Sequence, residues 1–165
     1  GVHLHPFISD RGLQRVKTMV DKGCEAAGRD SEAVKIWSVI VTAVNPSRED
    51  YLRKFVARMA TYMQAPNYVE LLVELNDWDP KVLEKFRASP VVSAMPGSID
   101  SVATLNQLEE ISELIPREWL SAAIGSVDDC ARAWKNQLLH GADGIVIHGS
   151  TPEEFAPVIE AYKVL

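Results

Sequence analysis

Residues 141–155 read GADGIVIHGSTPEEF. The run from Gly144 to His148 is apolar and β-branched, stops at a histidine, turns through Gly149 and Ser150, and enters a helix. Thr151 with Glu154 three residues on makes a capping box, and Pro152 fits the first helical position. The first residues, GVHLHPFISDRG, repeat the pattern: Gly1, Val2, Leu4 and His5 match Gly144, Ile145, Ile147 and His148 in spacing. Two strands of one design each deliver a histidine where strand gives way to loop.

Working outward, VKIWSVIVTAV (residues 34–44) has the β-branched and aromatic composition of a strand covered on both faces, as in a parallel sheet. Between the first two strands, Ser9 or Asp10 caps a helix carrying Leu13, Val16, Met19, Val20 and Cys24 at helical spacing, and Gly28 ends it. Ser126, with Asp129 three residues on, starts another helix that Gly141 stops. From 46 to 125 the sequence predicts a helical insertion without a further strand, cut by prolines at 66, 80, 90, 96 and 116. Its apolar stripes are Leu52, Phe55, Val56, Met59 and Met63; Tyr68, Leu71, Leu72 and Leu75; Val82, Leu83 and Phe86; and Leu105, Leu108, Ile111 and Ile115.

Strands separated by helices are parallel strands joined by right-handed crossovers, so the class is α/β. Three parallel strands leave two open edges, and such a sheet normally belongs to a larger doubly wound or barrel fold. The expectation is a partial (β/α)8 TIM barrel of about three parallel strands, one part-barrel unit over 1–165 with the insertion inside it. Its partner strands would precede residue 1, the chain being a C-terminal fragment.

The composition, 47% hydrophobic and 24% charged, is that of a folded globular chain. The net charge of −6 and the lack of any Lys/Arg cluster argue against nucleic acid as a partner. No apolar run approaches the roughly 20 residues that span a bilayer. Cys24 and Cys130 have no CxxC or Cys/His partner spacing, which points to two buried thiols in a reducing, cytoplasmic setting.

In a parallel barrel the functional groups stand at the C-terminal ends of the strands. There the sequence places His3 and His5, which share a face by period two, Asn45 after the middle strand, and His148 after the last. One reading makes them the mouth of a small-molecule pocket, where an imidazole hydrogen-bonds substrate or moves a proton; the other makes each histidine a cap on a neighbouring carbonyl. Gly149, Ser150 and Thr151 before a helix either hold an anion on free amides or cap their own helix, and the charges of Glu153 and Glu154 favour capping. Arg58 and Tyr62, four apart on a helix, either face substrate or lie on a solvated face. His-x-His at a barrel strand end also resembles the metal motif of the amidohydrolase superfamily, but the further histidines and the aspartate of that set are missing apart from His140 and His148.

Taken together, GVHLHPFISDRG, the GRD turn at 28–30 before VKIWSVIVTAV, RMATYMQAPNY at 58–68 and GADGIVIHGSTPEEF resemble the C-terminal part of a luciferase-like monooxygenase, in the deazaflavin-dependent oxidoreductase branch. The resemblance spans essentially the whole chain. It implies a parent barrel that moves a hydride between reduced coenzyme F420, or alternatively FMN, and a small organic substrate. It also implies that this chain supplies about the last three strands. Early strands would hold the cofactor, and His3, His5, Asn45 and His148 would complete the substrate side. The fragment alone would bind no cofactor and be inactive, and its partner would be the missing N-terminal half. The rival reading is a non-catalytic α/β module that self-associates through its sheet edges.

Overall fold

The computed structural model describes residues 1–165. In chain order it holds β1 (Val2–His3), α1 (Asp10–Ala26) and β2 (Ile36–Val44). Then come α2 (Arg48–Tyr51), running through a π-helical stretch, Leu52–Val56, into α3 (Ala57–Gln64), and α4 (Val69–Asn76), α5 (Pro80–Ala88), α6 (Pro90–Ser93), α7 (Ile99–Val102) and α8 (Leu105–Ser112). Last are β3 (Ala123–Gly125), α9 (Val127–Leu139), β4 (Gly144–His148) and α10 (Pro152–Lys163). No helix is long and apolar enough to cross a membrane.

The chain divides into two compact units, one of residues 1–45 with 121–165, the other of residues 46–120. The first unit is α/β with a small open sheet in which every pairing is parallel. β2 is its spine. The Lys35 and Trp37 carbonyls accept from Val2 and Leu4 of the β1 segment, whereas the Ile36 carbonyl accepts from Asp143 ahead of β4. Successive peptide groups of a strand point to opposite edges, so β1 and β4 flank β2 on opposite sides. Asn45 donates to Gly125, and its odd number puts β3 on the β1 side, further along the spine. β3 corrects the expectation of three strands and of a strandless stretch to 125. Its three residues, Ala123–Gly125, set one β-favouring residue, Ile124, between Ala and Gly, too short a run to read as a strand, and are extended by pairing with Thr42–Val44.

Side chains of β2 alternate. Ile36, Ser38, Ile40 and Thr42 face the helices: Ser38 donates to Gln137 of α9 at 2.5 Å, and Trp134 of α9 donates its indole N–H to Thr42 at 3.0 Å. Ile40, Ala123, Cys130, Ala131, Trp134, Phe155 and Val158 form the apolar core of this layer, with Ile145 and Ile147 against it. Gln137 donates onward to Asp10 of α1 at 3.2 Å, so one buried polar chain ties α1, α9 and β2 together. Both cysteines are free and buried. Ser9, Ser126 and Thr151 cap α1, α9 and α10, the last two as full capping boxes.

The second unit is helical. Leu52, Phe55, Val56, Met59 and Met63 are all buried, as their spacing predicts, and so are Leu83, Phe86, Leu108 and Ile111. The α4 stripe is corrected: Val69, Leu72, Val73 and Asn76 are buried while Tyr68 and Leu71 are exposed. Five of the seven residues from 69 to 75 are apolar, so the sequence left the helix phase open, and the turn through Asn67, at φ 65°, set it. Arg87 fixes that turn with a fork, donating to the carbonyls of Met63 and Ala65, each at 2.8 Å, and to Glu70.

Candidate functional site

Residues paired in a parallel ladder share a face of the sheet. His3 pairs with Trp37, Trp37 with Gly144, and His148 with Val41. The face turned away from α9 and α10 therefore carries His3, Trp37, Val39, Val41, Gly144, Val146 and His148, and His5 continues it two residues beyond His3. Val41 and Ala43 on this face are fully buried, but towards the start of the strands it opens to solvent: Trp37 is 45% exposed and Val146 39%. The Trp37 indole lies across β4 at Gly144, where an added Cβ would sit 2.6 Å from Cε3. Both matched glycines at the strand starts are close-approach positions: a Cβ at Gly1 would meet the Lys35 carbonyl at 2.9 Å and the indole Cδ1 at 3.8 Å.

The strands run parallel, so His5, Asn45 and His148 all stand at C-terminal ends, but at different heights. By register His148 is level with Val41, and Asn45 lies four residues beyond that point, about 13 Å further along. His5 is the most constrained of them. Its Nδ1 lies 2.5 Å from the Pro6 carbonyl, which can only accept, so Nδ1 carries the proton and Nε2 the lone pair of the neutral ring. Burial pushes its pKa below the ordinary histidine value, against a smaller upward pull from the Pro6 carbonyl. His5 is a neutral imidazole at pH 7. The loop that follows is held by the Ser121 hydroxyl, which donates to Ile8 at 3.1 Å. Within it Phe7 is fully buried at φ 68°, a backbone region that bulky residues rarely occupy.

His3 and Asn45 are exposed, and His148 is half-buried. Asn45 takes φ 42° at the exit of β2. Gly149 and Ser150 dock the β4 loop onto the spine. Gly149 has φ 100°, a Cβ there would meet Val41 at 2.8 Å, and the Ser150 hydroxyl donates to the Thr42 carbonyl at 3.0 Å. The start of α10 is closed by its own side chains, since Thr151 N donates to Glu154 and Glu154 N to Thr151. His140 caps α9, Nδ1 lying 2.8 Å from the Asn136 carbonyl. No three His, Cys, Asp or Glu side chains come together as metal ligands. In the helical unit Arg58 pairs with Asp100 at 3.6 Å, and Tyr62 lies ring to ring with Tyr68 at 5.5 Å.

Of the strand-end groups, Asn45 is exposed and His148 half-buried, while the Nε2 of His5 is itself buried. Sequence reading did not single out Trp37 or Phe7. An aromatic inside a β-branched run was the available signal for Trp37, and nothing local announces a left-handed Phe7. No family model matches the chain, and no curated protein matches it.

Proposed function

We propose that the chain is the C-terminal part of a luciferase-like, deazaflavin- or FMN-dependent oxidoreductase of (β/α)8 barrel architecture, acting on a small organic substrate. The observation that carries the reading is the two-faced sheet. One face of a parallel sheet is packed on α9 and α10, while the other presents Trp37 and Val146 to solvent below strand ends that carry His5, Asn45 and His148. Inward residues of a closed barrel are packed in layers, so an open apolar inner face is what a part-barrel would present.

The deazaflavin, when bound, supplies the ring carbon that takes or gives a hydride. The residues of this chain do not fit its phosphate, because the helix start nearest the rim is closed by the Thr151–Glu154 box and Ser150 is committed to Thr42. The cofactor would be held by the preceding strands. The part left to this chain is the substrate side: His5 held as the Nδ1–H tautomer by Pro6, with Asn45 and His148 as hydrogen-bonding groups. The test is to join the chain to the preceding half of its parent and titrate with reduced deazaflavin, following cofactor fluorescence. Saturable change is expected; fluorescence unchanged across the titration refutes the reading.

A further inference from the structure

The helix layer of the α/β unit has two ends. α9 lies in the middle, bonded to α1 through Asp10 with Asn136 and Gln137 and packed on α10 through Trp134 and Phe155, whose rings meet edge to face at 6.2 Å. α1 turns Asp10, Leu13 and Lys17 towards that neighbour, and Lys17 lies over Gly141 just past α9. With 3.6 residues per turn, the opposite flank of α1 carries Arg15, Met19, Lys22, Gly23 and Ala26. All of these are exposed, Met19 to 61%. α10 buries Phe155 and Val158, and its opposite flank carries Glu153, Ala156, Ile159 and Glu160, all exposed, Ile159 to 41%.

These two flanks complement each other. One is small and apolar with a cationic rim, the other small and apolar with an acidic rim. Arg15 and Lys22 are seven residues apart, as are Glu153 and Glu160, a rise of about 10.5 Å along either helix. Both helices return antiparallel to the same parallel strands, so a flank-to-flank contact that continues the layer sets them parallel and in step. The strands beneath agree: β1 and β4 are each paired on one side only, to β2.

We propose that the outer flank of α10 docks on the outer flank of α1 of a second copy of this chain, Glu153 facing Arg15, Glu160 facing Lys22, and Ile159 packing on Met19. The contact is head to tail, and it brings the open edge of β4 alongside the open edge of the neighbour's β1. The Glu160–Lys163 pair on the same flank, at 2.7 Å, is an exposed ion pair and holds Glu160 only weakly. The proposal needs nothing from the cofactor reading, and either can fail without the other.

The experiment is a charge swap read by sedimentation velocity up to millimolar chain. Wild type is expected to associate with rising concentration. Arg15→Glu with Lys22→Glu, and separately Glu153→Lys with Glu160→Lys, are each expected to weaken self-association by about tenfold or more, since attraction becomes repulsion. Mixing the two variants one to one is expected to restore association, which also shows that both are folded. A wild type that stays monomeric overturns the proposal. So does association that the swaps leave unchanged, or a mixture no more associated than its components.

Discussion

The buried chain Ser38–Gln137–Asp10 tests the register on which the sheet, its faces and its rim all depend. Ser38 is fully buried and donates to Gln137 Oε1 at 2.5 Å; Gln137 Nε2 donates to Asp10 at 3.2 Å. Ser38→Ala leaves the Gln137 carbonyl oxygen buried without its donor, and Gln137→Leu orphans the Ser38 hydroxyl. Each costs about 1–3 kcal/mol. With both changes neither polar partner is left behind, so the double variant falls short of the summed singles by about 1–2 kcal/mol. Native-state amide exchange of β2 residues reads the opening free energy of this unit by itself. Additivity within about 0.5 kcal/mol would refute the reasoning, because it would mean that Ser38 does not face α9. A slip of one residue would turn Ser38 and Thr42 to the opposite face and put Trp37 against the helices.

Gly144→Ala places a Cβ 2.6 Å from Trp37 Cε3, so it destabilises by about 1–3 kcal/mol and shifts tryptophan emission, and Trp37→Ala in the same chain recovers most of the loss. The Asp129 carboxyl is held down to about 2, first by the Ser126 hydroxyl and then by Arg132, against an ordinary 3.8. Its folded pKa lies below its unfolded one, so its contribution is present above pH 4 and is lost as pH falls from about 4 to about 2. The urea midpoint of Asp129→Asn should show less acid dependence there than wild type does. Burial pushes the Cys130 thiol up to about 11, so a disulfide reagent at pH 8 should modify it only as fast as the unit opens, and a rate independent of urea would contradict that.

What could be read from the chain tracks how strongly each element is written in local terms. β2 and β4 are apolar β-branched runs, and the caps at Ser9, Ser126 and Thr151 are side-chain chemistry, so both kinds of signal were legible. β3 was not, because Ala123–Gly125 becomes a strand only through the carbonyls and amides of Thr42–Val44, contacts some eighty residues distant. The α4 phase was lost for the opposite reason, an excess of apolar positions rather than a lack. The rim was half legible. Period two put His3 with His5, and strand ends gave Asn45 and His148, but the tautomer of His5 depends on the Pro6 carbonyl and the role of Gly149 on the packing of Val41. Neither is a property of sequence spacing.

Trp37 separates the two partners that the open unit invites. A preceding barrel half, as the proposed function requires, would close over the inner face and bury its indole, whereas a second copy held by α1 and α10 would sit beside the sheet and leave that face wet. The indole is 45% exposed, against 2–3% for Trp119 and Trp134, and Trp78 is half-buried, so Trp37 should make the largest single contribution to the iodide-quenchable fluorescence of the chain's four tryptophans. The difference in quenching between wild type and Trp37→Phe isolates its signal. That difference should survive self-association through the helix flanks and vanish when the preceding strands are joined. If joining the preceding strands left it unchanged, the inner face would not be a barrel interior. The alternation of Ile36, Ser38 and Ile40 towards α9 would then still describe the sheet, but nothing would remain to connect its rim to a cofactor.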